Sequence, residues 1–358
     1  MKLMLDYKKI NKEDIYSYTY KNKNKFFIKY FKFLDNHHRK NCLNYRKFTN
    51  ALIPKLKKGS ELENFPMLPV NIFKKFDLIS VPKKKITKKM TSSGTSGSNP
   101  SKIFLDGKNS LNQKIALSLI IENFLGKNRL SMLIVDKKST VQNSSNFTAR
   151  SAAILGFSLF GKDYTYLLKE NNEINYETLN NFLKKNKDKQ FFIFGFTSYV
   201  FENLIQKISK SKIISDFGNG ILLHGGGWKK LEEKKISNNL FKNKLSKKLN
   251  LKKIHNYYGM IEQTGSIFIE CKYGYFHTTI FSEIFIRDIN FKIITNKKKG
   301  LVQLVSLLPS SYPGHNIITE DIGRIIGVDD CKCGHKGKYF EILGRAPETE
   351  LRGCSDVK

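Results

Sequence analysis

The segment that most constrains this chain lies at residues 91–102 and has the sequence TSSGTSGSNPSK. Before the closing Lys102 it contains only Ser, Thr, Gly, Asn and Pro, and the apolar run at 103–105 that follows predicts a β-strand. Glycines let backbone N–H groups approach an anion, hydroxyls add donors, and a lysine adds a charge suited to phosphate. The close spacing of Gly94 and Gly97 excludes a Walker A loop. Two interpretations of the segment remain, a flexible linker and a phosphate-binding loop.

Short apolar segments alternate with amphipathic ones through the middle of the chain. This alternation predicts an α/β fold with a largely parallel sheet, because parallel strands need crossover helices between them. The predicted strands are residues 131–135, 191–196, 221–224 and 251–258, and the predicted helices are 112–124 and 199–208. Residues 1 to about 60 are predicted to be helical. From residue 273 onward, strand-like segments such as 281–289 and 300–308 indicate a β-rich part.

Composition narrows the classes of function. With 358 residues, of which 40% are hydrophobic and 12% aromatic, the chain has the composition of a globular protein. The net charge of +32 raises the alternative of a nucleic-acid-binding protein, but the lysines are scattered along the whole chain and do not form one basic stripe. Nucleic acid is therefore not the expected partner. No apolar run is long enough for a signal peptide or a membrane span, which predicts a cytoplasmic protein.

Three further motifs change the interpretation of the polar segment. The motif HGGGWK at residues 224–229 follows a predicted strand, at the end where α/β sheets bind ligands. Residues 257–262, YYGMIE, place aromatic rings before a glycine turn and the carboxylate of Glu262. Asp321 lies next to a predicted tight turn in residues 319–324. Each motif is weak by itself, and their order along the chain carries the argument.

Together with Gly344 and Arg345, these motifs resemble the adenylate-forming (ANL) enzyme superfamily. In finer detail the chain resembles the acyl-protein synthetases of the LuxE type. The matching sequences are PVNIFK at residues 69–74, SSGTSG at 92–97, HGGGWK at 224–229 and RGCS at 352–355. The resemblance covers nearly the whole chain. It includes the end of the chain soon after Arg345, whereas acyl-CoA ligases continue into a further lobe.

The resemblance implies a fold and its divisions. It predicts the large N-terminal domain of the adenylate-forming enzymes, an α/β domain with a helical start, a mainly parallel sheet core and a β-rich subdomain, lacking the full C-terminal lobe. The expected divisions are a helical N-terminal region at 1–80, an α/β nucleotide-binding core at 81–265, a β-rich subdomain at 266–343, and a hinge with a short tail at 344–358.

By the same resemblance, the polar segment binds the phosphates of ATP and the later motifs bind the rest of the nucleotide. Glu262 is expected to bind Mg²⁺, Asp321 to accept hydrogen bonds from the ribose hydroxyls, and Arg345 to lie near the ribose and the α-phosphate. The predicted nucleotide contacts are Ser92, Ser93, Gly94, Thr95, Ser96, Gly97, Lys102, Gly226, Gly227, Tyr258 and Asp321.

The resemblance also implies a reaction in two steps. A fatty acid is activated with ATP to acyl-AMP, and Cys354 then attacks the acyl carbon to form a thioester, helped by the positive charge of Arg352. The acyl group passes to a partner, which by resemblance is an acyl reductase or a carrier protein. Two alternatives stay open. In the first, the enzyme transfers the acyl group to CoA, a carrier protein or an amine. In the second, Cys354 is an inert terminal cysteine.

The other cysteines suggest a metal site. Cys271 and His277 are separated by a short loop, and the motif CKCGH at residues 331–335 comes later. Three cysteines and one histidine make a tetrahedral zinc set. We therefore expect a structural Zn²⁺ held by Cys271, His277, Cys331 and Cys333, with His335 competing as the fourth ligand. The alternative is that these are ordinary small buried residues. Such a zinc would stabilise the β-rich part.

Overall fold

The computed structural model of the chain describes residues 14–52, 61–92, 100–142, 149–228, 233–295 and 297–346. The chain forms two compact units, each built from segments that are separated in sequence. The first unit contains Met1–Ile120, Gly259–Phe268 and Tyr275–Lys358, and the second contains Ile121–Tyr258 and Ile269–Gly274. Among the described residues, no helix combines the length and the apolar character that a membrane span requires.

The regular elements of the described residues are named here in chain order. The strands are β1 (Leu68–Pro69), β2 (Ile86–Thr91), β3 (Lys102–Asp106), β4 (Leu130–Lys137), β5 (Gly161–Leu168), β6 (Phe191–Phe196), β7 (Gly220–Gly225), β8 (Lys253–Tyr258), β9 (Phe268–Ile269), β10 (Phe276–His277), β11 (Ser282–Arg287), β12 (Gly300–Ser306), β13 (Asn316–Val328) and β14 (Lys338–Arg345). The α-helices are α1 (Tyr20–Asn41), α2 (Leu43–Leu52), α3 (Ile72–Lys75), α4 (Gly107–Leu125), α5 (Ser139–Gln142), α6 (Ala149–Ser158), α7 (Tyr176–Lys185), α8 (Thr197–Val200) and α9 (Asn238–Leu249).

A mainly antiparallel sheet forms the centre of the first unit. Its strand order is β10-β14-β13-β12-β11, and β1 pairs with β13 in parallel. Strand β11 is buried along its whole length, so its polar side chains need partners inside the protein. Lys23 of α1 forms an ion pair with Glu283, with 2.9 Å between Nζ and Oε2. Arg287 Nε donates to Gln303 Oε1 at 2.6 Å. The first of these contacts attaches the helical start to the sheet.

The second unit is built on a parallel sheet. Its strand order is β5-β4-β6-β7-β8-β9, and the pairs from β5 through β8 are all parallel. Strand β6 has the continuous apolar sequence FFIFGF because it lies between β4 and β7 with both faces covered. Helix α9 is capped by Asn250, whose backbone has the left-handed conformation that asparagine often adopts at the end of a helix. The structure confirms the predicted α/β class with a mainly parallel sheet and a β-rich part.

The predicted helix at residues 199–208 contains two helix types. After α8 the chain continues as a π-helix, Phe201–Lys207. The N–H of Ile208 donates to the carbonyl of Asn203, five residues earlier, at 3.0 Å. The Asn203 side chain donates to the Tyr199 carbonyl at 2.9 Å, which is the acceptor that an α-helix would use for the backbone N–H of residue 203.

Candidate functional site

Two serines close the base of the polar segment. Strands β2 and β3 pair in antiparallel orientation up to Thr91 opposite Lys102. Beyond that pair, the N–H of Ser92 donates to the Ser101 carbonyl at 3.0 Å, and the N–H of Ser101 donates to Ser92 Oγ at 2.9 Å. The segment is therefore the connection of a β-hairpin inside the first unit. The predicted phosphate contacts Ser93, Gly94, Thr95, Ser96 and Gly97 lie outside the described residues.

Lys102 is the first residue of β3. Its Nζ lies 3.9 Å from Asp77 Oδ1, and the two side chains are 36% and 57% exposed. An ion pair this long and this exposed contributes little to stability, because water screens it. The phosphate contact of Lys102 stays a prediction.

Glu262 lies in a short 3₁₀ turn, Ile261–Gln263, and its side chain is almost fully buried. Burial raises the pKa of this carboxyl, and a hydrogen bond from the Ser101 side chain opposes the rise. The charge of Lys74 also lowers this pKa, whereas Glu320 raises it. Carboxylate oxygens are the ligands that Mg²⁺ prefers in proteins. The bond from Ser101 thus joins the end of the polar segment to the predicted magnesium ligand.

The backbone around Glu262 is held on both sides. Gln263 Nε2 donates to the carbonyls of Leu304 at 3.1 Å and Gly314 at 2.9 Å. Gly265 has a φ of +84°, and a Cβ at this position would lie 2.7 Å from the carbonyl oxygen of Gln113 in α4. A larger residue would be strained there and would also meet the helix backbone. These contacts fix the turn that carries Glu262.

Strands β13 and β14 bring Asp321 and Arg345 side by side, since the two residues are register partners. Asp321 is half-buried, and its N–H donates to Thr319 Oγ1 at 3.1 Å. Arg345 is exposed. The pairing continues past the end of β14, because the N–H of Ala346 donates to the Glu320 carbonyl at 2.8 Å. The residues predicted to contact the ribose and the α-phosphate are therefore neighbours in the first unit.

The glycine turn of the second unit follows β7. His224, at the end of this strand, is buried, and its Nδ1 lies 3.0 Å from Thr197 Oγ1 at the start of α8. Burial, with smaller effects of nearby charges, lowers the pKa of His224 to about 3, so this imidazole is neutral at physiological pH. Gly226 has a φ of +78°, and a Cβ there would lie 2.9 Å from the Phe196 ring, whereas Gly227 has no such neighbour within 4 Å.

Two tyrosines end β8 and differ in their surroundings. Tyr257 packs with its ring 5.0 Å from that of Phe157, and a Cβ on Gly225 would meet the Tyr257 ring at 2.4 Å. Burial raises the pKa of Tyr257. Successive strand residues point to opposite faces, so Tyr258, which is half-buried, faces away from this packing. The contact of Tyr258 with adenine stays a prediction.

The predicted metal ligands lie close together. The ligand atoms of Cys271, His277, Cys331 and Cys333 are all within 4.8 Å of one another, and His277 Nε2 lies 3.4 Å from Cys333 Sγ. A tetrahedral zinc with bonds of about 2.0–2.3 Å holds its ligand atoms about 3.5–4 Å apart, so this donor set fits Zn²⁺. Burial lowers the pKa of His277 to about 3, which favours the neutral imidazole that binds metals. His335 instead stacks on Tyr16, with ring centroids 4.2 Å apart.

The structure adds two residues to the candidate site. Ser101 donates a hydrogen bond to Glu262 and Lys74 places a positive charge near it, although neither was a predicted site residue. Ser101 could have been identified from the sequence as the last hydroxyl residue of the polar segment, and Lys74 as the last residue of PVNIFK. Cys354, the predicted nucleophile, lies outside the described residues.

Comparisons with known proteins agree with this architecture. A family model described as "Acyl-protein synthetase, LuxE" matches residues 6–358. No curated protein matches the sequence. An open conformation of 2-hydroxyisobutyryl-CoA ligase, in complex with 2-HIB-AMP and CoA, has a TM-score of 0.69 and 14% identity over 92% of this chain and 76% of that chain. The same ligase in its thioesterification state has a TM-score of 0.64 and 14% identity over 90% and 68%. The amide bond synthetase McbA from Marinactinospora thermotolerans has a TM-score of 0.50 and 13% identity over 81% and 52%. At these identities the solved structures show the fold alone.

Proposed function

Because the chain belongs to the LuxE family of acyl-protein synthetases and is an acyl-activating enzyme of the adenylate-forming class, we propose that it activates a fatty acid with ATP and Mg²⁺ and then carries the acyl group on Cys354. The observation that best supports the site is the hydrogen bond between Ser101 and Glu262. It connects two motifs that are distant in sequence, and both belong to the nucleotide site in the family pattern.

The first step joins two anions, which repel each other. A carboxylate oxygen of the fatty acid attacks the α-phosphorus of ATP, the bond from this phosphorus to the bridging oxygen of pyrophosphate breaks, and pyrophosphate leaves with the electron pair. No proton moves in this step. The protein therefore acts by holding the two reactants in line and by stabilising the negative charge that develops on the phosphates.

Each proposed contact follows from the chemistry of its residue. The N–H and hydroxyl groups of residues 92–97, with Lys102, bind the outer phosphates. Glu262 holds the Mg²⁺ that shields those phosphates. Asp321 accepts hydrogen bonds from the ribose hydroxyls, and Arg345 contacts the ribose and the α-phosphate. Gly226 and Gly227 leave room for adenine, and Tyr258 covers its face.

In the second step, the Cys354 thiolate attacks the acyl carbon of acyl-AMP, the bond to the phosphate oxygen breaks, and AMP leaves. The thiol proton goes to solvent before the attack, and the positive charge of Arg352 favours this loss. The thioester is then passed to a partner protein, which we propose to be an acyl reductase.

Isotope exchange tests the first step. The protein is incubated with ATP, Mg²⁺ and labelled pyrophosphate in the presence of single carboxylic acids of increasing chain length. Adenylation of a fatty acid predicts label entering ATP with medium or long chains and not with acetate. Absence of exchange with every acid would contradict the proposed activity.

A labelled fatty acid tests the second step. Wild-type protein should retain the label in a form released by hydroxylamine, whereas Cys354→Ser should still exchange pyrophosphate but retain no label. Cys42→Ser is the matched control, because Cys42 is a buried free cysteine outside the proposed sites. Full labelling of Cys354→Ser would exclude this carrier. Label transferred to CoA or to an added amine would instead support a ligase with a diffusible acceptor.

We also propose that Cys271, His277, Cys331 and Cys333 hold a structural zinc. The support is the fit of their donor atoms and the burial of Cys271, His277 and Cys331. Purified protein should contain about one zinc per chain, and Cys333→Ser should lose the metal and unfold at lower temperature, while Cys42→Ser keeps both properties. Zinc-free wild-type protein with unchanged thermal stability would contradict this assignment.

A further inference from the structure

The sequence PVNIFK at residues 69–74 matches the family pattern, but the proposed function gives it no role. Its beginning is fixed to the central sheet of the first unit, because Pro69 pairs with Ile318 of β13 and the N–H of Val70 donates to the Ile318 carbonyl at 3.0 Å. The chain then turns into α3, where the N–H of Lys74 donates to the Asn71 carbonyl at 3.1 Å. The segment thus begins beside the part of β13 that leads to Asp321.

Helix α3 packs against the surroundings of Glu262. Phe73 is fully buried, and its ring meets that of Tyr312 edge-on at 6.4 Å. Next to Tyr312, a Cβ placed on Gly314 would lie 2.5 Å from the Tyr312 ring and 2.3 Å from the Glu262 carbonyl oxygen. Helix α3 also contacts β3, the strand that follows Ser101. Two independent paths therefore lead from α3 to Glu262 within the first unit.

Lys74 is the half-buried lysine of this helix, whereas the neighbouring Lys75 is exposed. Because α3 contacts β3 and packs through Phe73 and Tyr312 towards the Glu262 turn, Lys74 lies on the element that borders Glu262. In the described parts of the first unit, Lys74 makes no ion pair within 4.0 Å, whereas Lys102 has Asp77 as a partner. The Glu262 carboxylate and the nearby Glu320 repel the phosphates of ATP, so a site built on them needs a compensating positive charge.

We propose that Lys74 binds the outer phosphates of ATP beside the magnesium held by Glu262. This assignment rests on the proposed use of ATP and adds a residue to it. The Lys74 ammonium donates to a non-bridging oxygen of the β- or γ-phosphate and offsets the negative charge that grows on pyrophosphate as its bond to the α-phosphorus breaks. Lys74 forms no covalent bond and transfers no proton.

The test compares two neighbouring lysines on the same short helix. Lys74→Ala should raise the KM for ATP at least tenfold in pyrophosphate exchange, because a charge-assisted contact to phosphate is lost. Lys74→Arg should recover most of the loss, since arginine keeps the charge. Lys75→Ala should stay within twofold of wild type, because Lys75 is exposed to solvent.

Binding without catalysis separates a phosphate contact from a structural role. Thermal unfolding is followed with MgATP and, separately, with AMP, which lacks the outer phosphates. Lys74→Ala should lose most of the stabilisation by MgATP and keep that by AMP. Equal loss with both nucleotides would mean that Lys74 supports the fold, and unchanged ATP stabilisation would exclude the contact. Either result overturns the proposal. If Lys74→Ala does not fold, Lys74→Gln takes its place in the same comparison.

This measurement also distinguishes the two proposals. If wild-type protein is stabilised by MgATP but exchanges no pyrophosphate with any acid, the proposed reaction fails. The role of Lys74 in binding phosphate is then still decided by the changes in unfolding temperature with MgATP and with AMP. If exchange is normal and Lys74→Ala matches wild type, the reaction stands and the lysine assignment fails.

Discussion

The turn that carries Glu262 and the glycine turn at residues 225–227, both of which we propose as nucleotide contacts, are built in two different ways. The Glu262 turn supplies a buried carboxyl that accepts a hydrogen bond from the Ser101 side chain, and Gln263 holds the turn by donating to the carbonyls of Leu304 and Gly314. The glycine turn supplies space, because side chains are absent where Phe196 and Tyr257 approach the backbone. The first segment therefore depends on polar pairing and the second on sterics.

The two turns also differ in how they respond to protonation. Burial raises the pKa of Glu262, so this carboxyl takes up a proton more readily in the folded protein than in the unfolded chain. Burial lowers the pKa of His224 beside the glycine turn, so this imidazole resists protonation in the folded protein. Acid is therefore expected to neutralise the Glu262 carboxylate, the proposed magnesium ligand, and to reduce the stability of the fold through His224.

The largest effect is expected from Glu262→Gln, which keeps the shape of the side chain and its contact with Ser101 but removes the charge. We expect pyrophosphate exchange to fall about 100-fold or more, because an electrostatic contact to the transition state is lost. The Mg²⁺ concentration needed for half-maximal exchange should also rise. Glu202→Gln, which removes a partly exposed carboxylate paired with Lys207 in the second unit, is the control and should leave the magnesium dependence unchanged. Wild-type magnesium dependence in Glu262→Gln would show that the Glu262 turn does not act through its charge.

Alanine substitutions in the glycine turn test sterics alone. Gly226→Ala should destabilise the fold by about 2 kcal/mol, since the residue needs a left-handed conformation and a Cβ would meet the Phe196 ring. Gly227→Ala should leave the urea midpoint unchanged, because no atom of the described residues lies within 4 Å of a Cβ placed there, yet raise the KM for ATP if adenine passes there. Equal stabilities of the two variants would show that the turn adapts and that space is not its contribution.

Ser101→Ala should have a moderate effect. The loss of one hydrogen bond to a buried carboxylate is worth about 1–2 kcal/mol, and it should reduce kcat/KM for ATP by about tenfold. Because that bond lowers the pKa of Glu262, its loss should shift the acid limb of the pH profile of kcat/KM to higher pH. Ser101→Thr retains the hydroxyl and should restore both properties. An unchanged acid limb in Ser101→Ala would mean that the serine does not act through Glu262.

The smallest effect is expected from acidification acting through His224. The pKa of His224 in the folded protein, about 3, lies below the ordinary value of 6.5. The unfolded chain therefore binds the extra proton between these values, and stability falls as pH decreases below 6.5. From pH 7 to 5.5 this group should remove about 1 kcal/mol. His224→Asn cannot titrate, so the stability difference between wild type and this variant should shrink by that amount in urea unfolding. A constant difference would contradict a buried neutral His224.

Local sequence patterns predicted much of the fold. The apolar run of β6 was recognisable because burial on both faces demands apolar residues, and β3 was recognisable as the apolar run that follows the polar segment. The predicted helix at residues 199–208 is present, and it includes a π-helical part, Phe201–Lys207, in which the Asn203 side chain donates to the Tyr199 carbonyl. Strand β5 gave no clear signal, since several of its residues are exposed at the edge of the sheet.

The residues of the candidate site were proposed one by one from motifs, but the contacts between these residues could not be predicted. Asp321 and Glu262 followed from motif order. The contacts of Ser101 and Lys74 with Glu262 join segments far apart in sequence, and no local period encodes such a meeting. The choice between His277 and His335 also depended on packing, because His335 stacks on Tyr16 near the start of the chain.

The sequence by itself determined the class of fold, the family and the order of the motifs, because these depend on residue type and local spacing. The tertiary structure decided which charges neighbour Glu262, which glycines lack room for a side chain, and how the two compact units share interleaved segments of the chain. Those properties arise where distant segments pack together, and burial there sets both the available space and the pKa of each ionisable group.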